Sequence, residues 1–401
     1  MKSVTEVPLL DVAEGIFDGP HATPPESLDG PIFLRLDNIT PEGRLDLTDL
    51  RYINQSDFPR WTRRVTPLPG DVVFSYEATL HRYVVIPEGF HGCLGRRLAL
   101  IRPNRKKIEP RYLHYYFLTP RWRAVAGSAV INGATVDRIS LTLVRNLPVQ
   151  LPSLRQQRRI VDILSAYDDL IENNRRRMAL LEESARLLYQ EWFVRLRFPG
   201  HEHVRITNGV PEGWTRESLC EVAEVNRASI GGSFDGEIDY IDIAAVTPGQ
   251  INETTHYDFK EAPSRARRIV QHGDIIWSCV RPNRKSHAVI WRPSPSLIAS
   301  TGFAVITPVR VPTSYLLQAT TTPDFVGYLE NHAKGAAYPA VVAGDFERAL
   351  VLVPSKAILD VFNDFAEPLF EQLHFLKQQN LKLRAARDLL LPRLMSGEVA
   401  V

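Results

Sequence analysis

The sequence predicts an α+β fold in which one unit is used twice. Three observations carry that prediction: an internal repeat, short β-branched and aromatic runs between Gly/Pro turns, and a long heptad seam after each such region. RVTPLPGDVVFS, ending at Ser75, matches RRIVQHGDIIWS, ending at Ser278, with Gly70-Asp71 on Gly273-Asp274 at an offset of 203. Tyr112-Leu113 falls on Tyr315-Leu316 and Thr119-Pro120 on Thr322-Pro323 at the same offset, and Pro152 falls on Pro354 at 202. Nearer the start, FLRLDNITPEG from Phe33 matches YIDIAAVTPGQ from Tyr240, with Thr40-Pro41 on Thr247-Pro248 at 207. Loop insertions account for the drift.

Each copy has two parts. In the first, Val72-Val73-Phe74, Tyr83 to Ile86 and Leu98 to Ile101 read as strands, and a helix follows at Arg111 to Leu118. Copy two repeats the pattern with strands at Ile275-Ile276-Trp277 and Phe303 to Ile306. The second part opens with Ser153 and Gln156, an S-x-x-Q capping box that satisfies orphan N–H groups at a helix start. A seam follows with alternating steps of four and three: Ile160, Leu164, Tyr167, Ile171, Asn174, Met178, Leu181, Ala185, Leu188 and Trp192. A shift of 202 gives Phe362, Ala366, Leu369, Leu373, Leu376, Asn380, Leu383, Arg387, Leu390 and Leu394, with Pro392 expected to end the second helix before its last seam position. From 160 to 192 the first helix would run roughly 48 Å, and neither helix can bury its stripe alone, so the two are expected to pair as a coiled coil. Asn174 and Asn380 would fix register. The repeat alone leaves parallel and antiparallel pairing open. The expected domains are 1–152, a spacer helix at 153–198, 199–354, and a distal helix at 355–401.

Composition excludes several classes. With 44% hydrophobic and 23% charged residues the chain is neither disordered nor fibrous. Cys93, Cys220 and Cys279 form no CxxC pair, so neither a disulfide scaffold nor a zinc site is expected. No run of about 18 apolar residues occurs, and the expectation is a soluble cytoplasmic protein with no membrane partner. There is no Gly-Lys dipeptide and hence no Walker A loop, and G-x-S-x-G and H-E-x-x-H are also missing. Asp258-Phe259-Lys260 has a nuclease-like D-x-K form but no paired upstream acid, and reads as a turn or strand edge. The expectation is a chain with no catalytic centre, no metal and no cofactor of its own.

Basic stripes remain. Arg96 to Arg123 holds nine basic residues and one acid, and Asp258 to Arg292 holds eight basic residues and three acids. Arginine reads guanine with two hydrogen bonds, asparagine reads adenine, and lysine holds phosphate. The DNA-facing candidates are Arg60, Trp61, Arg63, Arg64, Arg105, Lys106 and Lys107 in copy one, and Arg265, Arg267, Arg281, Asn283, Arg284 and Lys285 in copy two. RPNRK occurs at 102–106 and 281–285, an offset of 179, so this identity is not inherited through the repeat. A structural adaptor that assembles proteins on its helical rod, with incidental basic loops, is the rival from another class. A third reading is an enzyme whose active site carries no known motif.

These residues carry a resemblance. LPSLRQQRRIVDILSAYDDLIENNRRRMALLEESARLLYQEWF, from Leu151, resembles the central helical region of the specificity subunits of type I restriction-modification enzymes. VPEGWTRESLCEVAEV, from Val210, resembles the opening of a target-recognition domain in that family, as GDIIWSCVRPNRKSHAVI and the tail QQNLKLRAARDLLLPRLMSGEV resemble other parts of it. Copy one lacks the Pro-x-Gly-Trp start of Pro211 to Trp214, and only LLDVAE from Leu9 matches LCEVAE from Leu219. The resemblance implies helices paired antiparallel as a spacer, related by an approximate two-fold axis, and a target-recognition domain in each copy reading half of a split double-stranded DNA site. It implies two modification subunits that bind S-adenosylmethionine and methylate adenine, and restriction subunits that use ATP and magnesium.

Overall fold

The computed structural model describes residues 5–131 and 136–401. It divides into unit 1, Met1–Asn173 with Asn380–Val401, and unit 2, Asn174–Gln379, so the division falls within the two long helices.

Unit 1 is built on a four-stranded antiparallel sheet in the order Ala13–Asp18, Leu98–Pro103, Val72–Ser75, Tyr83–Val85. Its central strands are buried on both faces, which is why they read as continuous apolar runs: Val72, Phe74, Ala99 and Ile101 join one core, while Val73, Val84, Leu98 and Leu100 join another. Pro110–Phe117 and Pro120–Gly127 form a helix pair over the first core, and Thr119 caps the second helix by accepting from the Trp122 N–H at 3.2 Å. Ser27–Leu34 and Gly92–Leu94 add a parallel pair.

Unit 2 repeats the plan with Ala223–Val225, Phe303–Pro308, Ile275–Ser278 and His287–Val289 in the same order. The unit 1 parallel pair is enlarged here into a second sheet, ordered Thr255–Asp258, Glu237–Ile241, Leu297–Ser300, Ala266–Ile269. The Gly-Asp identity has a physical reason in both copies. Gly70 and Gly273 turn the chain at φ +87° and +86°. The carboxylates that follow are buried, and accept from the backbone N–H of Leu68 and Gln271 at 2.8 Å. Asp71 then takes two bonds from Arg102, at 3.0 and 2.7 Å, whereas Asp274 takes one from Thr307 at 2.7 Å. The match of Leu9 with Leu219 also holds in structure, since Leu9–Val12 and Leu219–Val222 are both short helices between equivalent strands.

The central helix spans Leu154–Tyr189, and its capping box is formed, with the Ser153 N–H donating to Gln156 Oε1 at 3.2 Å and the Gln156 N–H to Ser153 Oγ at 3.4 Å. The distal helix spans Lys356–Ser396. Pro392 therefore does not end it. The proline forfeits one backbone bond, but Leu391, Leu394 and Met395 beside it are buried in the unit 1 core and hold the last turns in place. The two helices run antiparallel in each unit. In unit 1, Arg387 pairs with Asp168 at 2.5 Å and Asn380 Nδ2 donates to the Ile171 carbonyl at 3.3 Å, while in unit 2 Asn174 Nδ2 donates to Gln379 Oε1 at 3.1 Å. The seam faces inward: Ile160, Leu164, Ile171, Asn174, Phe362, Leu373, Leu376, Asn380 and Leu394 are buried, and Tyr167, Met178, Leu181, Leu188, Leu369, Leu383 and Leu390 are half-buried.

Arg387 sits on the seam and is buried all the same. Asp168 neutralises it, and that carboxylate also accepts from the Tyr115 hydroxyl at 2.6 Å. At the equivalent positions unit 2 carries Ala185, Phe370 and Gln318, which help line a cavity of about 430 Å³ together with Pro248 and Gly249.

Candidate nucleic-acid interface

Arg60 and Trp61 lie on the one-turn helix Phe58–Trp61. Arg60 projects outward, but Trp61 is 6% exposed, packs edge-on against Phe33 with ring centres 6.1 Å apart, and belongs to a small core with Ile53 and Cys93. Trp61 is therefore a packing residue and leaves the interface list. Arg63 is exposed, and Arg64 is drawn back to Asp18 at 2.6 Å. The basic turn after Leu98–Pro103 lies against the segment that follows Arg64, because Arg102 donates to the Thr66 carbonyl at 2.9 Å and Arg105 donates to that of Pro69. Lys107 is tied to the Asp11 carbonyl at 2.8 Å. Lys106 is exposed, and its backbone N–H is held by Asn104 Oδ1 at 3.1 Å.

In unit 2, Arg265 is exposed just before the edge strand Ala266–Ile269. Arg267, on that strand, is half-buried, stacks over Phe259 at 4.5 Å and donates to the Ala266 carbonyl at 2.9 Å. Its guanidinium is thus placed by its own unit, with one of its five N–H donors engaged. Arg281, Asn283, Arg284 and Lys285 occupy the hairpin loop between Ile275–Ser278 and His287–Val289, and the last three are exposed. The structure therefore brings these four together on one loop, as it brings Arg105, Lys106 and Lys107 together on one turn. It also explains why the RPNRK identity carries no shared role: Arg102 ends a sheet strand and binds Asp71, whereas Arg281 sits in a loop.

Asp258-Phe259-Lys260 is a turn at a strand end, closed by the Lys260 N–H on Asp258 Oδ1 at 3.0 Å, with Lys260 paired to Asp235 at 2.8 Å. Among the described residues no group of His, Cys, Asp and Glu could hold a metal ion, and no helix is long and apolar enough to cross a membrane. Burial lifts the Cys279 thiol to about 11, so beside the unit 2 loop it stays neutral and offers no nucleophile at neutral pH. Two residues of this region escaped sequence reasoning, Lys334 and Tyr338. AKGAAYPA, from Ala333, has neither a charge run nor apolar periodicity to mark it.

Residues 63–183 match the family described as "Type I restriction modification DNA specificity domain". The type I restriction enzyme MjaIX specificity subunit of Methanocaldococcus jannaschii is 24% identical over 310 residues, covering 73% of this chain and 70% of its own. The HindI specificity subunit of Haemophilus influenzae is 24% identical over 417 residues, covering 86% of this chain and 90% of its own. In fold, the chain is similar to the crystal structure of the type-I restriction-modification system S subunit from M. genitalium, with a TM-score of 0.53 at 14% identity, covering 97% of this chain and 95% of that one.

The chain is thus similar, over one matched domain and along most of its length, to type I specificity subunits.

Proposed function

We propose that this chain is the sequence-specific DNA-recognition subunit of a type I restriction-modification complex, without catalysis of its own, and that each copy of its α+β domain reads one half of a bipartite, asymmetric site. The observation that carries this reading is the doubled sheet, in the same strand order twice, with exposed arginine and lysine on a different loop in each copy. A reader with two identical halves favours palindromes, whereas two diverged halves in one chain suit an asymmetric target. The domains at 1–152 and 199–354 act as readers, and the helices at 153–198 and 355–401 set the gap between half-sites and dock two modification subunits. Those subunits would bring S-adenosylmethionine, and restriction subunits would bring ATP and magnesium, all in the cytoplasm. The chain's formal charge of only +2 fits a subunit that depends on its partners for much of the grip on the phosphate backbone. Methylome sequencing of cells that express the chain with its modification subunit tests the reading. The expected result is adenine methylation at one split sequence, and methylation without a bipartite motif would contradict it.

A further inference from the structure

The unit 2 hairpin loop does not stand alone. Residues 279–281 are stitched to residues 339–341: the Arg281 N–H donates to the Pro339 carbonyl at 2.7 Å, the Val341 N–H donates to that of Cys279 at 2.9 Å, and Val280 bridges Ala340. The 334–340 turn closes on itself through paired backbone bonds between Lys334 and Ala340, both 2.9 Å. At its tip stands Tyr338, 69% exposed, with the Arg281 guanidinium 4.6 Å from its ring centre and donating to the Ala337 carbonyl at 3.3 Å. A large ring presented to water and braced by a cation has little value to the core, and stands against the loop that carries the exposed Asn283, Arg284 and Lys285.

The backbone of this loop is strained in a way that the repeat makes informative. Arg281 and Lys285 are left-handed at φ +52° and +53°. In unit 1 the corresponding loop, between Val72–Ser75 and Tyr83–Val85, has Ala78 and His81 at φ +68° and +63°. It is stitched to the equivalent segment too, with Glu77 bridging Arg138 and the Ala78 N–H donating to the Asp137 carbonyl at 3.1 Å. Left-handed backbone of this kind is unfavourable for residues other than glycine. Both loops keep a left-handed residue three positions after the strand and a second near the loop end, although the unit 2 loop is one residue longer and holds the 3-10 turn Pro282–Arg284, and their side chains differ: Arg281, Asn283, Arg284 and Lys285 in one, Ala78, Thr79, Leu80 and His81 in the other. A loop stitched in the same place in both copies but carrying different side chains suits the reading of two different half-sites.

We infer that the stitched hairpin loop is the base-reading element of each unit, and that Tyr338, braced by Arg281, is a specificity-determining contact to duplex DNA in unit 2. This rests on the DNA-recognition reading above. Tyr338 supplies an apolar contact of the kind that a thymine methyl or a base edge accepts, and Lys334 a phosphate contact. In unit 1 the same loop carries Thr79 and His81.

The test uses the full chain assembled with its modification subunits, and reads methylated sites by sequencing and affinity by salt titration. Tyr338→Ala is expected to relax one base position in one half-site, or to weaken specific binding by about 10-fold, with the other half-site and the melting temperature unchanged. Tyr338→Phe retains the wild-type pattern. Lys334→Ala lowers the salt slope by about one for every sequence alike. Thr79→Ala with His81→Ala is expected to alter only the half-site that Tyr338→Ala leaves intact. Unchanged sites and affinity in Tyr338→Ala, beside a wild type that methylates a bipartite motif, overturn the inference alone. A wild-type complex with no bipartite motif overturns the recognition reading as well.

Discussion

Buried Arg387 is tolerated because Asp168 faces it at 2.5 Å and Tyr115 completes the carboxylate. Removing one member of such a pair leaves the other charge poorly compensated. Arg387→Ala is expected to cost about 2–4 kcal/mol in denaturant titration, less than the cost of a fully enclosed pair because the Asp168 side chain keeps 23% exposure, whereas replacing both residues together with apolar ones should cost clearly less. His114 gives a pH signature. Burial holds its pKa down at about 4, outweighing the opposing effects of Asp168 and of the Tyr83 and Gly43 backbone. The unfolded chain takes up that proton near pH 6.5 and the folded chain only near 4, so His114 contributes stability above about pH 6.5 that is lost as pH falls toward 4, up to about 3 kcal/mol in all. Comparing urea midpoints from pH 7 to 4.5 should show a steeper loss in wild type than in His114→Phe; equal slopes would refute it. Residue-scale legibility was uneven for a physical reason. Trp61 and Tyr338 both lie near arginines, one in sequence and one in space, but Trp61 is 6% exposed and Tyr338 69%. Local composition carries no information on which of two aromatics a sheet will cover.

At the scale of elements the sequence was far more readable, because sheet strands and seam helices repeat their burial with a period. The strands around Val73, Leu100, Ile276 and Val305 lie within the observed four-stranded sheets, and the heptad seam matches the inward face of both helices. The Ser153-Gln156 box marked the true start of the central helix. Ser153→Ala is expected to cost about 1 kcal/mol and to speed amide exchange in the first turn of that helix, since it removes only a cap. Pro392 was misread because the helix-breaking rule is local, whereas the buried side chains on either side of that proline act through tertiary packing.

For the whole molecule the decisive sign was the repeat near 203 residues, which doubles every local reading and makes each copy a check on the other. It also sharpens the charge. Residues 1–200 hold 28 basic against 23 acidic residues and residues 201–401 hold 20 against 23, so the near-neutral total conceals an unequal pair. If helix length sets the gap between half-sites, inserting two matched turns into both helices should lengthen the unread spacer of the methylated motif while leaving both half-sites unchanged; an unaltered spacer in methylome sequencing would refute the ruler. One further consequence follows from the Arg387–Asp168 pair. A freshly duplicated chain has halves that can each clasp their own likeness, in the same molecule or in a neighbour. Two central helices clasped in this register would set Asp168 against the position of Ala185, and two distal helices would set Arg387 against that of Phe370. The second exchange strands the buried Arg387 charge, and the first leaves the half-buried Asp168 carboxylate without its cation. Only the mixed pairing satisfies both charges, so this one ion pair disfavours each half clasping its own likeness and favours the two halves as complements.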